Sequence, residues 1–403
     1  MSSSIPVTVL SGALGAGKTT TLNHVLTADH GHEIAVLVND MGEVNVDAEH
    51  VERRSELSQA DEEIIELSNG CICCRLRGDM LEAVEALAQQ REFDYLLVES
   101  SGISEPIPVA QTFTLGFEDV AYDPTEDYRL DTMVSVVDAH AMYEGFESGQ
   151  SLVSDEAVAA AGTDRIPEEV LMDGIEFCDV LLLNKCDLVP DEELDEIEAV
   201  LETLQPRARI VRTEFGAVDP GTILDTGRFD FEQAQNSAGW RHELHHDHHH
   251  DPSEEHGVES FVFRADRPFH PERFAELLES LPSAIIRAKG FFWSAGREDI
   301  AMGLDKAGHS VRAGPTGNWI ATLPDDEQRR YRQAMPNLDE EWDEQWGDRG
   351  SELVFIGRNF DPSVLEEWLA DCVLTDAEMD ADWSRYPDPF GTDGQRELAL
   401  ADD

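Results

Sequence analysis

The sequence predicts an α/β protein with a mainly parallel sheet, followed by a smaller α+β domain. Three observations predict it. A glycine-rich turn, Gly12-Ala-Leu-Gly15-Ala-Gly17-Lys18-Thr19, lies between the apolar run 5–10 and the helical pattern 19–26. Seven apolar runs (5–10, 33–39, 63–67, 95–98, 133–137, 180–183 and 208–213) then alternate with helical stretches, the rhythm of βαβ units with helices on both faces of a sheet. After a histidine-rich interval, strands and helices follow in mixed order, as in an α+β domain with its helices on one face.

The order strand, glycine-rich turn, helix start is what a phosphate-binding loop requires. Gly12, Gly15 and Gly17 let successive N–H groups turn inward without Cβ clashes. Lys18 then reaches the β- and γ-phosphates, and the Thr19 hydroxyl can ligate Mg²⁺. Gly12, Gly15, Ala16, Gly17, Lys18, Thr19 and Thr20 are the expected cradle for a nucleoside triphosphate. The plain alternative is a glycine-rich βα turn with no ligand.

The second run ends in Asn39-Asp40-Met-Gly-Glu43, where the first switch of a GTPase would lie. Asp40 or Glu43 could reach Mg²⁺ or a second metal there; a solvated acidic loop is the bland reading. The fourth run delivers Glu99-Ser-Ser-Gly102 at its carboxyl end. Glu99 fits the acidic residue that holds Mg²⁺ through water, and Gly102 offers an N–H to a γ-phosphate, against the alternative of an ordinary strand terminus. No glutamine follows in a position to orient water, so slow intrinsic hydrolysis is expected.

The sixth run enters Asn184-Lys185-Cys186-Asp187. A carboxylate in the place of Asp187 accepts from both N1–H and the 2-amino group of guanine, a donor pair adenine lacks. Asn184 and Lys185 brace the loop and flank the base, and the wrong base strands a charge, so the expected nucleotide is GTP. Glu214-Phe215-Gly216, after the last run, is placed to close over the base.

Three of the six cysteines crowd into Cys71-Ile-Cys73-Cys74, between the third run and an amphipathic helix over residues 75–90. The helix N-terminus with Arg75 and Arg77 favours thiolates there. Three thiolates fill three corners of a tetrahedron and suit Zn²⁺ or Cu(I). A redox pair or buried apolar cysteines are the alternatives.

The formal net charge is −56, and 85 acidic residues spread through both halves of the chain. Such a field repels nucleic acid and anionic lipid. Only four lysines stand among the 29 basic residues, a halophile-like composition expected of a protein working in concentrated intracellular salt. Two of the four, Lys18 and Lys185, fall inside nucleotide motifs. No apolar stretch approaches a membrane span and no signal peptide opens the chain, so a soluble, cytoplasmic protein is expected. The cysteine count is too small for a disulfide scaffold.

The expected organisation is a nucleotide domain over 1–228, a flexible linker over 229–257, a second domain over 258–375 and an acidic tail over 376–403. The linker holds seven of the 14 histidines, His242 to His256, interleaved with acids, and reads as a multi-site metal collector. The tail is expected to be loosely held, with Trp383 and Phe390 available to dock it, and Cys372 to be buried at a helix end.

Taken together, the glycine loop, Gly70-Cys-Ile-Cys-Cys74, Glu99-Ser-Ser-Gly102, Val137-Asp-Ala139 and Asn184-Lys-Cys-Asp187 resemble the CobW-like metallochaperone GTPases. Arg287-Ala-Lys-Gly290-Phe-Phe-Trp293 and Leu353-Val-Phe-Ile-Gly357 resemble that family's C-terminal domain, and the ending around Asp376 to Phe390 looks like its zinc-responsive members. The resemblance implies a P-loop GTPase that binds a transition metal, often zinc, at Cys71, Cys73 and Cys74 and delivers it to a client metalloprotein. It assigns Lys18 and Thr19 to phosphate and Mg²⁺, Glu99 and Gly102 to the second switch, and Asn184 and Asp187 to guanine. The first switch departs from the pattern: Asn39-Asp-Met precedes Gly42-Glu43 where the family commonly shows an asparagine, a glutamate and an aromatic. Rival readings are a GTPase for cobalt or nickel insertion, and a zinc buffer in which the nucleotide merely stabilises the fold.

Overall fold

The computed structural model describes residues 4–39, 64–67, 75–90, 93–100, 106–115, 122–148, 151–154, 157, 166–236, 238–239, 241, 257–334, 338, 342–391 and 396–398. The chain divides into two compact units, Met1–Gly239 and Trp240–Asp403.

The first unit is built on a seven-stranded sheet in the order β3-β2-β4-β1-β5-β6-β7. These strands are β1 (Ile5–Ser11), β2 (Ile34–Asn39), β3 (Ile64–Leu67), β4 (Tyr95–Glu99), β5 (Tyr128–Asp138), β6 (Val180–Asn184) and β7 (Arg209–Arg212). Every pairing is parallel. Parallel sheets of this kind are covered on both faces, and the alternation of side chains shows how. Val7, Val9, Leu37, Leu96 and Val98 join one core with Met80, Val84 and Leu87 of α2 (Arg75–Gln90). Leu10, Val36, Val38 and Leu97 face the other core with Leu22, Val25 and Leu26 of α1 (Lys18–Thr27). The remaining main helices of this unit are α3 (Pro106–Thr112), α4 (Ala139–Ser148), α5 (Pro167–Phe177), α6 (Asp191–Leu204) and α7 (Phe231–Asn236).

Because β1 lies between β4 and β5, the chain reverses its direction of travel across the sheet at β1. In doubly wound folds the crevice beyond the carboxyl ends at such a reversal receives ligands. The glycine loop follows β1 at that point.

One expectation of the sequence is corrected at the end of this unit. The linker expected from residue 229 begins with ordered structure. Phe229 and Phe231 pack with Phe177, and Ala234 is buried against the sheet, because this short segment carries enough apolar surface to cover α5. The compact unit therefore runs ten residues or so beyond the expected boundary. The histidine run His242 to His256 lies outside the described residues.

The second unit is a six-stranded sheet in the order β13-β11-β10-β9-β12-β8, antiparallel at every pairing. Its strands are β8 (Val258–Ala265), β9 (Ile285–Phe292), β10 (Ile300–Ala307), β11 (Ser310–Asn318), β12 (Ser351–Arg358) and β13 (Arg396–Leu398). Phe274 and Leu278 of α8 (Pro271–Glu279), and Leu365 and Leu369 of α10 (Pro362–Cys372), join Phe263, Phe292, Leu304 and Phe355 in one core. The charged stretch after β11 forms α9 (Asp325–Ala334), which ends two residues before Pro336, a residue that cannot continue a helix. β11 ends at Asn318 and is followed by a single 3₁₀ turn, Ile320–Thr322. β10 and β13 have no counterpart in the sequence reading.

The expected loose tail is not loose in its first part. Phe390 is fully buried against Phe274 and Phe292, and Trp383 packs with Trp293 and Trp346. A capping box on α11 (Asp376–Met379) and the bidentate pair of Arg273 with Glu378 fasten the segment between them. Cys372 is buried at the end of α10, as expected, and burial pushes its thiol up to about 11. Among the described residues, no helix is long and apolar enough to cross a membrane.

Candidate functional site

The carboxyl edge of the parallel sheet gathers the described site residues. The glycine loop wraps from β1 into α1 with Gly12, Gly15 and Gly17 all at positive φ. At Gly12 a Cβ would stand 2.3 Å from the Val136 carbonyl oxygen, and at Gly17 one would stand 2.3 Å from Asn184 Nδ2. Glycine is required at these two places because β5 on one side and the Asn184 side chain on the other press against the loop.

Lys18 is buried and folds back along the loop, its Nζ donating to the carbonyls of Gly12 (3.0 Å) and Ala13 (3.1 Å). The Thr19 hydroxyl donates to Glu99 Oε1 at 2.7 Å. Glu99 closes β4 in register with Leu10, and the next residue, Ser100, donates from its N–H to the Leu10 carbonyl at 2.9 Å. The acidic strand end is thereby pinned beside the first turn of α1. Ala16 is buried in the loop, whereas Gly15 and Thr20 are exposed at its mouth.

Asn184 ties three segments together. Its Nδ2 donates to the Ala16 carbonyl (2.9 Å), and its Oδ1 accepts from Thr213 Oγ1 and from the Gly216 N–H (each 3.0 Å). Lys185 adopts a left-handed backbone, φ +64°, and pairs with Asp138 at the end of β5. Asp138 uses its other oxygen to accept from the His140 and Ala141 N–H groups at the start of α4. Asp187 is exposed, beside half-buried Lys185. Cys186 between them is buried, donates to the Leu183 carbonyl, and has its thiol pushed up by burial. It is a packing residue of this turn and not a thiolate ligand.

Sequence reasoning did not assign Asp138 or Thr213 to the site, and gave Gly216 only as part of a segment closing over the base, not as a partner of Asn184. Asp138 carries the one available signal, a polar residue ending an apolar strand just as Glu99 and Asn184 do. Thr213 and Gly216 act through a neighbour 29 to 32 positions away, which no local pattern reveals.

Asp40, Glu43, Cys71, Cys73, Cys74 and Gly102 lie outside the described residues. What is described is their frame: β3 ends at Leu67 on the carboxyl edge, paired in parallel with β2, and α2 begins at Arg75. The described cysteines, Cys178, Cys186 and Cys372, are all buried thiols with raised pKa. Among the described residues no group of three histidine, cysteine or acidic side chains is arranged to hold a metal ion.

Two family descriptions divide the chain. Residues 6–212 match the CobW/HypB/UreG nucleotide-binding domain, and residues 258–373 match the cobalamin synthesis protein cobW C-terminal domain. Among curated relatives, the zinc-regulated GTPase metalloprotein activator 1 of Dictyostelium discoideum is 40% identical, over 98% of this chain and 85% of its own. The Schizosaccharomyces pombe protein of the same name is 32% identical over 58% of this chain and 51% of its own. The zinc chaperone YjiA of Escherichia coli is 28% identical over 88% of this chain and 94% of its own. Carrying both domains in order, on a parallel sheet with its glycine loop at the reversal point, the chain belongs to the CobW/HypB/UreG family of nucleotide-binding proteins.

Proposed function

We propose that this protein is a GTP-hydrolysing metallochaperone that holds a transition metal, zinc, at Cys71, Cys73 and Cys74 and passes it to a client metalloprotein. One observation carries the reading. The glycine loop, Glu99 and the turn from Asn184 to Asp187 converge on a single sheet edge, Asn184 fastening the turn to the loop and Thr19 fastening Glu99 to it. That set suits a triphosphate at one end and guanine at the other. The relatives named as zinc-regulated GTPase activators and zinc chaperones support the choice of base and cargo.

In this mechanism the nucleotide exchanges contacts the protein now makes within itself. The Lys18 ammonium leaves the Gly12 and Ala13 carbonyls for the β- and γ-phosphate oxygens. The Thr19 hydroxyl and the Glu99 carboxylate, 2.7 Å apart, are oxygen donors of the kind a Mg²⁺ ion takes, so the residues present fit that ion. When bound, Mg²⁺ supplies neutralisation of the charge on the phosphate oxygens. Asp187 accepts from the Watson–Crick edge of guanine, and adenine leaves its charge unmatched.

The metal enters through topology. Cys71, Cys73 and Cys74 follow a strand that ends at the nucleotide edge, so metal and γ-phosphate bind with a shared free energy, and hydrolysis loosens the metal for transfer. Titration of Zn²⁺ in the presence of a non-hydrolysable GTP analogue, and then of GDP, tests this. Zinc binding at least about fivefold tighter with the analogue is expected. Equal affinities would remove the coupling and leave a nucleotide-binding protein with an independent metal site. Mass spectrometry of a high-salt pull-down, with and without GTP, identifies the client.

A further inference from the structure

Two short loops frame Asp187, and they bring together two features that are uncommon on the described surface. Of the four non-glycine residues with a left-handed backbone among the described residues, two are here: Lys185 at φ +64° and Phe215 at φ +53°. A residue with a Cβ stays in that region where its surroundings hold it, and such residues cluster at ligand sites. The two most exposed large hydrophobic side chains among the described residues are here as well, Phe215 at 74% and Leu188 at 53%.

The position of Phe215 is fixed from both sides. Thr213 before it donates its hydroxyl to Asn184 Oδ1, and the Thr213 carbonyl accepts the Cys186 N–H at 3.2 Å. Gly216 after it donates its N–H to the same Asn184 oxygen and lies against α1, where a Cβ would meet the Thr21 N at 2.7 Å. The loop is therefore bolted to the first turn of the phosphate-loop helix and to the turn that bears Asp187. Between these anchors the phenyl ring stands out into solvent on the same rim. Nothing in folding rewards an apolar ring left there.

We infer that Phe215 is the stacking face for the base of the nucleotide. Its ring covers one face of the guanine while Asp187 pairs with the edge, and the stem of Lys185, its ammonium anchored on Asp138, borders the opposite side. This rests on the guanine-nucleotide reading above. The labour is divided: stacking is indifferent to base identity and supplies affinity, whereas the Asp187 carboxylate supplies selection.

The test uses the full-length protein in high salt, with GDP, IDP and XDP as probes. Phe215→Ala is expected to weaken GDP binding about tenfold and IDP binding by the same factor, leaving their ratio unchanged. Phe215→Tyr restores wild-type affinity, and in Phe215→Trp the added indole emission is quenched on GDP addition. Unchanged GDP affinity in Phe215→Ala, or a Phe215→Trp signal indifferent to GDP, overturns the assignment. Failure of the underlying reading shows differently: Asp187→Asn, which turns an acceptor into a donor, would then not shift preference from GDP toward XDP.

Discussion

The two edges of the parallel sheet both bury carboxylates and use them in opposite ways. At the amino edge, Asp131 is spent on the fold: it accepts from the Tyr95 hydroxyl (3.1 Å), the Thr226 N–H (2.9 Å), the Gly227 N–H (3.1 Å) and Arg129 (3.1 Å). Asp179 beside it accepts from the Met133 N–H and from Arg207, against burial that pushes its carboxyl up. Those partners are backbone groups and fixed side chains that no ligand replaces. At the carboxyl edge, Glu99 is bonded by the Thr19 hydroxyl, and Lys18 by loop carbonyls, all of them groups a phosphate or a cation can displace. A buried polar residue is therefore read by what holds it. Held by groups that nothing displaces it is structural; held by the hydroxyl and carbonyls of a glycine-rich loop it is free to exchange them for a ligand.

Substitutions on the two edges should separate activity from stability. The largest effect is expected at Lys18→Ala, which removes the charge that meets the γ-phosphate; GTP turnover measured by phosphate release should fall by about 10²–10³-fold. Circular dichroism of that variant should keep the α/β spectrum. At the opposite edge Asp131→Ala strips the Thr226 and Gly227 N–H groups of their acceptor and should cost about 3 kcal/mol in denaturant unfolding. The folded fraction should bind GDP with wild-type affinity. Loss of GDP binding in fully folded Asp131→Ala, or unfolding of Lys18→Ala, would erase the distinction between the edges.

How far the sequence discloses this depends on whether a local pattern marks the residue. Lys18, Thr19, Asn184 and Asp187 stand out because each belongs to a short local motif, even though the partners of Thr19 and Asn184 come from 80 and 168 positions away. The seven strands are legible for the same reason, as each is a short apolar run. Asp131 and Asp138 are not, since their partners Thr226 and Lys185 arrive from 95 and 47 positions downstream. β10 hides because Asp305, Lys306 and the small residues Ala301, Gly303 and Ala307 interrupt its apolar alternation, and it is held by pairing with β9 and β11. Phe229 and Phe390 were visible as isolated aromatics in acidic stretches, but the hollows that accept them are tertiary.

A smaller effect refines the picture at the boundary between bracing and binding. Asp138 caps α4 and holds Lys185, so it serves the fold with one oxygen and the base site with the other. Asp138→Asn keeps the cap and removes the charge that anchors Lys185. The expected result is GDP binding weaker by about fivefold with unfolding free energy within about 0.5 kcal/mol of wild type. A loss of stability without a loss of affinity would move Asp138 into the class of Asp131.

The second unit offers the same contrast at its weakest. Glu378 is a carboxylate spent on structure, accepting from both Arg273 nitrogens and from the Thr375 N–H and hydroxyl. The Arg273 hydrogen bond, followed by that of the Thr375 backbone, brings its pKa from 4.5 down to about 2. A carboxyl held below its unfolded value contributes stability that is fully present above the unfolded pKa and is lost as pH falls through the folded one. Its contribution is thus intact at neutral pH, begins to fade below about pH 4.5 and is gone near pH 2. Because the group is partly exposed, solvent screens the interaction and the effect is modest. Glu378→Gln should flatten the acid limb of the unfolding curve over that window, read by the fluorescence of the Trp293, Trp346 and Trp383 cluster that the segment helps to close. Nucleotide turnover at neutral pH should not change. An acid limb identical to wild type would mean that this carboxylate contributes nothing to docking and that burial of Phe390 and Trp383 alone holds the segment.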